Sequence, residues 1–238
     1  MAISSKSLFH FTSFDNLLSI LECMYFQVNY SKEQFVIRQN TLIYYVPMVC
    51  FCDIPLTQTR DHIEDYQGFA IGLTKDWGIG HGLNPVFYIN QLGFTVTLEN
   101  LDSSLQQNDF AKGAFEHTFS FMKQYKGQDL KNSALHEKVF YNEREWRFVP
   151  YVRQFQDKVM KQIYWKDELT SFEKDYIKGH RFFKLGFKIS DIRYLITKSE
   201  KEKTDLMSFL RRRKTEDLHI LVNHTFKVLT IDEVFSDF

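Results

Sequence analysis

The charged stretch EREWR at 143–147 places two glutamates, Glu143 and Glu145, one residue apart. The alternation of apolar and polar residues around them predicts strands, and residues i and i+2 of a strand lie on the same face. Two carboxylates on one face repel each other, so they either pair with Arg or Lys or contact a ligand. Arg144 and Arg147 favour the first alternative, as part of a solvated edge strand. The second makes the pair a candidate for carboxylate chemistry.

A histidine and a threonine, His10 and Thr12, stand at the end of an apolar run near the start of the chain. The run predicts a strand over 8–11, which puts both polar side chains on one face. Ser13 or Asp15 can cap a helix directly afterwards, since Leu and Ile residues follow at helical spacing. His10 at this junction could hydrogen-bond a ligand or serve as a general acid or base.

The elements that must position these side chains alternate along the chain. Strands are predicted at 48–52, where Pro55 ends a buried run, at 68–75 ending near Trp77, at 84–89, within 136–152, and at 182–187, 194–197, 219–222 and 226–229. Helical spacing marks 57–66, about 98–125, 168–177 and the segment before 211–214. Strands and helices without repeats or linkers indicate an α+β fold with mixed or antiparallel sheets and flanking helices.

The bulk composition fits one globular domain, with 238 residues of which 44% are hydrophobic. Thirty basic residues balance thirty acidic ones, so no overall charge favours nucleic acid or a membrane surface. No apolar stretch approaches the ~20 residues of a membrane span, and the first residues lack the apolar segment of a signal peptide. Three cysteines without a disulfide-framework spacing indicate a reducing, cytoplasmic compartment.

Three further motifs are weak signals. Cys50 and Cys52 share a strand face, but no second Cys or His pair stands at zinc-finger spacing, so no metal site is predicted. The glycines of GIGHG at 78–82 lack the spacing of a dinucleotide fingerprint, which favours a loop. The basic run at 211–214 has acidic neighbours, which favours a solvated helix face over a nucleic-acid contact.

The order of the motifs resembles that of ADP-ribosyltransferases. LFHFTSFDNLLSIL resembles the first motif of DarT-like enzymes, in which a His-x-Thr strand leads into a helix containing Asn-Leu. More of the chain resembles the AbiGi family of phage abortive-infection proteins, through VCFCDIPL, HIEDYQGFAIGLTKDWG, NPVFYI and EREWRFVP. The resemblance implies one ADP-ribosyltransferase-like domain over 1–238, with a core at 8–150 and an α/β extension at 151–238.

The resemblance also implies that NAD is the substrate and that its nicotinamide–ribose bond is cleaved. Such cleavage builds oxocarbenium character on the ribose, which a nearby carboxylate stabilises. Glu145 would take that role, and Glu143 would orient or deprotonate the acceptor. His10 would hydrogen-bond the NAD ribose, with Thr12 supporting the dinucleotide.

The middle block of the resemblance adds weaker candidates for NAD binding. One of Tyr44, Tyr45 or Tyr66 would stack on the nicotinamide. Asp53 could contact NAD or cap the helix that follows it, and Tyr66 could equally be a core residue. CFCD stands where such enzymes usually carry a tyrosine or a Ser-Thr-Ser signature, which puts the nicotinamide clamp in doubt.

Three functions therefore remain open. The first is a cytoplasmic ADP-ribosyltransferase toxin in phage defence, which does not associate with a membrane. It would modify single-stranded DNA or RNA, or else a protein, and an antitoxin protein would silence it. The second is an inactive binding module of the same fold, acting as an antitoxin or sensor. The third is an NAD glycohydrolase or nuclease that uses the same carboxylates, with His10 as acid or base.

Overall fold

A computed structural model describes residues 5–37, 40–59, 63, 68–90, 108–131, 134–152, 160–212 and 226–236. The chain divides into two compact units. Unit 1 comprises Met1–Phe26, Cys50–Leu83 and Leu185–Phe238, and unit 2 comprises Gln27–Val49 and Asn84–Lys184. Each unit thus combines segments that are distant in sequence. The single domain with a core at 8–150 and an extension at 151–238 stays a prediction.

The described residues contain strands, short 3-10 turns and helices. The strands are β1 Ser7–Thr12, β2 Tyr25–Gln27, β3 Asn29–Ile37, β4 Asn40–Cys52, β5 Phe69–Thr74, β6 Asn84–Pro85, β7 Phe87–Ile89, β8 Met122–Gln124, β9 Lys126–Lys131, β10 Ala134–Val139, β11 Glu145–Phe148, β12 Tyr164–Trp165, β13 Lys184–Gly186, β14 Ile192–Thr197 and β15 Lys227–Thr230. The helices are α1 Phe14–Cys23, α2 Lys75–Gly80, α3 Asp109–Phe119, α4 Ser171–Gly179, α5 Glu200–Arg212 and α6 Ile231–Ser236. The predicted mixed α+β class is confirmed, and none of these helices is long and apolar enough to cross a membrane.

Unit 1 is built on β1 and its neighbours. Strand β5 pairs antiparallel with β1 on one side and with β14 on the other, and β15 joins β14 in parallel. The end of β4 pairs with β1, where Cys52 lies opposite Phe9. The central strand β5 is almost wholly apolar and buried from Phe69 to Leu73, as expected of a strand that is covered on both faces.

The predicted strand and capped helix at the start of the chain are confirmed. The Ser13 hydroxyl accepts a hydrogen bond from the Asn16 backbone N–H, which satisfies a donor left free at the helix start. Leu17 and Leu21, four residues apart, form the buried stripe of α1. The helix ends at Met24, whose left-handed backbone (φ 56°) lets its N–H bond to the Ile20 carbonyl.

Unit 2 contains the hairpin of β3 and β4, paired antiparallel from Asn29 opposite Met48 to Ile37 opposite Asn40. Strand β12 pairs with β4, β11 pairs with β6, and β9 pairs with β10, all antiparallel. Strands β7 and β8 pair in parallel. Helices α3 and α4 belong to the same unit.

Several predicted boundaries are wrong. Trp77 and the first glycines of GIGHG lie in α2, because the Thr74 hydroxyl caps a helix there by accepting from the Trp77 N–H. The helix predicted to reach about 125 ends at Phe119, and β8 follows it. The strand predicted at 182–187 is reduced to β13, because a 3-10 turn occupies Arg181–Phe183.

Other predicted elements fall partly or wholly outside the described residues. The start of the helix predicted from 98, the strand at 219–222 and most of the polar segment 57–66 lie there. So do Arg213 and Lys214 of the basic run. Its first two members, Arg211 and Arg212, are exposed at the end of α5.

Gly72 provides a test of packing in unit 1, since it lies opposite Phe9 and Tyr194 in the two strand pairs. A Cβ at this position would lie 2.7 Å from Phe9 Cε1 and 3.2 Å from Tyr194 Cβ. We expect Gly72→Ala to lower the free energy of unfolding by about 1–3 kcal/mol through overpacking. Gly80→Ala is the matched control, because a Cβ there meets no atom within 4 Å. Urea unfolding of both variants checks this, and equal midpoints would contradict the packing.

Candidate functional site

Glu143 and Glu145 do not lie on one strand, so the predicted Glu-x-Glu strand is wrong at Glu143. A 3-10 turn covers Phe140–Glu143, and β11 begins only at Glu145. Between them, Arg144 has a left-handed backbone, with φ 44° and ψ 49°, which interrupts the extended chain. The turn nevertheless buries both carboxylates, each residue being only 5% exposed.

Lys123 joins the two carboxylates. Its Nζ lies 2.7 Å from Glu143 Oε2 and 2.8 Å from Glu145 Oε2. A second lysine, Lys138, places its Nζ 3.0 Å from the other oxygen of Glu143. An ammonium group has three donors, so one lysine can bridge two carboxylates that would otherwise repel each other.

Arg147 holds the remaining oxygen of Glu145 from a position with no exposed surface. Its Nε donates to Glu145 Oε1 at 2.8 Å, and its Nη1 donates to the Ser120 carbonyl at 2.7 Å. Its Nη2 donates to Glu33 Oε1 at 2.8 Å and more weakly to Glu145 Oε2 at 3.3 Å. A guanidinium with this many partners is fixed in position.

These six side chains form one neutral group, which we call the ion cluster. Its members are Glu33, Glu143, Glu145, Lys123, Lys138 and Arg147, three acidic and three basic residues. Burial alone would lower the pKa of Lys123, but the surrounding carboxylates, Glu145 foremost, raise it well above its usual value. Burial raises the pKa of Glu33, against the opposing effect of Arg147 and Lys123. Compensated charge is what makes burial of such groups tolerable.

The two predicted stacking tyrosines of unit 2 point to opposite faces of the β3–β4 hairpin. Tyr44 lies directly across the strand pair from Glu33, and Tyr45 lies across from Lys32. The Tyr44 ring is fully buried, with ring centroids of Phe119 and Trp165 at 5.2 and 5.9 Å. Tyr44 therefore neighbours the ion cluster, but its ring already packs against protein. Tyr45 instead contacts Lys174, whose Nζ lies 5.9 Å from its centroid.

The hydroxyl of Tyr44 is a polar group without a hydrogen-bond partner among the residues that the structure describes. Burial raises the pKa of this phenol, and the carboxylate of Glu33 adds to the effect. Tyr44 therefore stays a neutral phenol beside the ion cluster.

His10 lies in unit 1 and is partly buried. Its Nδ1 lies 2.8 Å from the Cys50 carbonyl oxygen, which can only accept a hydrogen bond, so Nδ1 carries the proton. The centroids of Phe26 and Phe51 lie 5.1 and 5.5 Å from the imidazole. Burial lowers the pKa of His10, against the opposing effect of the Cys50 carbonyl. The neutral ring keeps a lone pair on Nε2.

The other candidates of unit 1 have simpler surroundings. Thr12 ends β1 and is partly buried. Asp53 accepts from the Ser5 backbone N–H at 2.9 Å and forms an ion pair with Lys75 at 2.6 Å. The 3-10 turn that follows begins after Pro55 without a side-chain cap, and most of the helix that Asp53 was expected to cap lies outside the described residues. Tyr66 lies outside the described residues.

No sequence pattern singles out Lys123, Lys138 or Glu33. Lys123 fell inside a helix that was predicted to continue to about 125, whereas the chain turns into β8 after Phe119. Glu33 was a single acidic residue in a strand without a motif. The one signal in the sequence is the pair of glutamates itself, because two carboxylates close together repel each other and therefore indicate that cations lie nearby.

Fold and site together define an α+β protein whose buried acidic residues are neutralised by its own lysines and arginine. A family profile described as "Putative abortive phage resistance protein AbiGi, antitoxin" matches residues 22–198, which include the whole ion cluster. The chain belongs to this AbiGi family. It is similar to the abortive phage resistance protein AbiGi of Lactococcus lactis subsp. cremoris, with 31% identity over 235 residues, covering 84% of this chain and 92% of the relative. No solved structure matches significantly.

Lys123 is the cation on which the cluster depends most. We expect Lys123→Met to lower the free energy of unfolding by roughly 3–5 kcal/mol, because it leaves two buried carboxylates close together without their shared partner. Lys126→Met is the control, since it breaks only the exposed pair with Glu137 and should leave the unfolding midpoint nearly unchanged. Urea unfolding measures both. A Lys123 variant as stable as the control would show that the cluster contributes little.

The surroundings of His10 predict that the stability of the folded protein depends on pH. Because the pKa of His10 is lowered in the folded protein, the unfolded chain takes up the proton first as the pH falls, and stability decreases below the usual histidine pKa of about 6.5. His10→Asn keeps an N–H donor for the Cys50 carbonyl but does not titrate. We expect the variant to lose less stability than the parent between about pH 7 and about pH 5. If the stabilities of the parent and the variant changed equally with pH, the folded protein would not hold His10 as a neutral, buried ring.

Proposed function

We propose that this chain acts in abortive phage resistance as a binding protein of the antitoxin type, which restrains a partner protein by contact rather than by chemistry on NAD. The description of the matching family and the name of the lactococcal relative support the setting. The observation that carries the proposal is the neutral ion cluster, in which the chain's own cations already occupy the acidic pair.

A glutamate that stabilises an oxocarbenium ion must present a carboxylate oxygen to the ribose. Both oxygens of Glu145 instead accept from Arg147, and one of them also accepts from Lys123. Both oxygens of Glu143 are paired with lysines. These contacts favour a structural role, because a substrate would have to displace partners from a buried network.

ADP-ribosyl transfer from NAD to a nucleic acid or a protein is the second candidate, and His10 favours it. With the proton on Nδ1, the lone pair on Nε2 can accept a hydrogen bond from a ribose hydroxyl. Phe26 and Phe51 beside the imidazole would exclude water from such a contact. The three cysteines form no disulfide within the part of the chain that the structure describes, which fits a cytoplasmic setting for either candidate.

A genetic test separates the two candidates in cells that carry the native locus. Deleting an antitoxin should slow the growth of uninfected cells, whereas deleting a toxin should not. We expect the deletion to slow growth. Returning the gene with both Lys123→Gln and Glu145→Gln should restore growth as fully as returning the parent gene. The double variant keeps the cluster neutral, with two acidic and two basic groups, while it removes the carboxylate that transfer would need. Normal growth of the deletion strain would contradict the antitoxin role.

A chemical test addresses transfer itself. Purified parent protein is incubated with labelled NAD and cell RNA, DNA or protein in separate tubes, and we expect no label to enter any of them. Label that enters one class with the parent, but not with a folded Glu145→Gln variant, would establish the second candidate instead.

A further inference from the structure

An exposed aromatic group in unit 2 lies outside the proposed binding role and adjoins the ion cluster. Tyr125 and Tyr141 remain 41% and 43% exposed, although their rings already stack on each other with centroids 5.6 Å apart and an angle of 27°. Tyr88 contacts Tyr141 edge-on, with centroids 5.3 Å apart. These three tyrosines and Arg144 are called the tyrosine patch below.

The backbone fixes the patch in place. The Tyr125 N–H donates to the Ile89 carbonyl at 2.9 Å, and the Tyr125 carbonyl accepts from the Tyr141 N–H at 3.3 Å. The Tyr88 hydroxyl accepts from the Glu145 N–H at 2.8 Å. Since the rings are held before any partner arrives, little side-chain entropy is lost on binding.

Arg144 gives the patch its charge. Its guanidinium carbon lies 5.8 Å from the Tyr141 centroid, a cation–π distance. Three lysines nearby, Lys123, Lys126 and Lys138, are each within 3.0 Å of a carboxylate oxygen. Arg144 forms no such ion pair among the residues that the structure describes. It is therefore the cation of this region that can meet an external anion.

Arg144 also adopts a left-handed backbone at φ 44°, where an arginine gains nothing over glycine or asparagine for folding alone. Arg144 directly precedes Glu145, and its side chain lies against the exposed ring of Tyr141. An arginine at such a position is explained if its positive charge contacts a ligand.

We propose that the tyrosine patch binds an unpaired base and the adjoining phosphate of single-stranded nucleic acid. Exposed aromatic rings stack on bases of any sequence, and an arginine beside them contacts the phosphate. Paired bases hide their faces within a duplex, so the patch selects single strands. If Arg144 alone contacts a phosphate, the plot of log affinity against log salt should have a shallow slope of about −0.7.

Fluorescence anisotropy with a short fluorescein-labelled oligo-dT tests the proposal on the full chain. We expect Tyr141→Ala to weaken binding at least about fivefold, since stacking on one ring is lost, and Tyr141→Phe to bind like the parent. Arg144→Gly should also weaken binding, and it should not harm folding, because glycine favours a left-handed backbone. Phe172→Ala is the control, being an aromatic side chain of unit 2 that is 59% exposed and outside the patch.

Two further arms define the partner. The same oligo annealed to its complement should bind more weakly than the single strand. Free thymidine monophosphate, which carries one base and one phosphate, should compete with the labelled oligo, whereas inorganic phosphate alone should not. Competition by inorganic phosphate as strong as that by thymidine monophosphate, preference for the duplex, or unchanged binding by the Tyr141→Ala and Arg144→Gly variants would each overturn the proposal. Because this test measures nucleic-acid binding alone, its failure leaves the antitoxin role standing.

Discussion

The contact of Lys123 with Glu143 and Glu145 is the interaction on which unit 2 depends. Two ionised carboxylates that are buried side by side repel each other, and Lys123 compensates this repulsion with its Nζ at 2.7 and 2.8 Å from the two groups. Arg147 then ties Glu145 to Glu33 and to the Ser120 carbonyl, so that segments far apart in sequence meet at one buried guanidinium. A network with this much internal compensation favours a structural role for the glutamates, and this is why a binding function is preferred to chemistry at Glu145.

Local signals were sufficient for the first strand and helix. The apolar run that forms β1 and the serine that caps α1 are close in sequence, and their physics is local, so both were predicted. The mixed α+β class and the likeness to the AbiGi family were also correct. The pair of glutamates was recognised as requiring either cations or a ligand, and the cations are present.

Long-range and conformational details were not predictable in this way. The left-handed backbone of Arg144 moves Glu143 out of the strand, and no local pattern announces such a residue when it is neither glycine nor asparagine. Lys123 reaches the glutamates across about twenty residues of sequence, through the pairing of β7 with β8 and the turn before β11. Tyr44 and Tyr45 could be separated only by the register of β3 on β4, which sets one beside Glu33 and the other beside Lys32.

In this structure Lys123 and Glu145 stabilise each other inside the fold. The most direct measurement is a double-mutant cycle, in which urea unfolding gives the free energies of the parent, Lys123→Gln, Glu145→Gln and the double variant. We expect a favourable coupling of about 1–3 kcal/mol, with the double variant more stable than the sum of the two single losses allows. Additive losses would show that the two groups do not depend on each other and would contradict the structural role of the cluster.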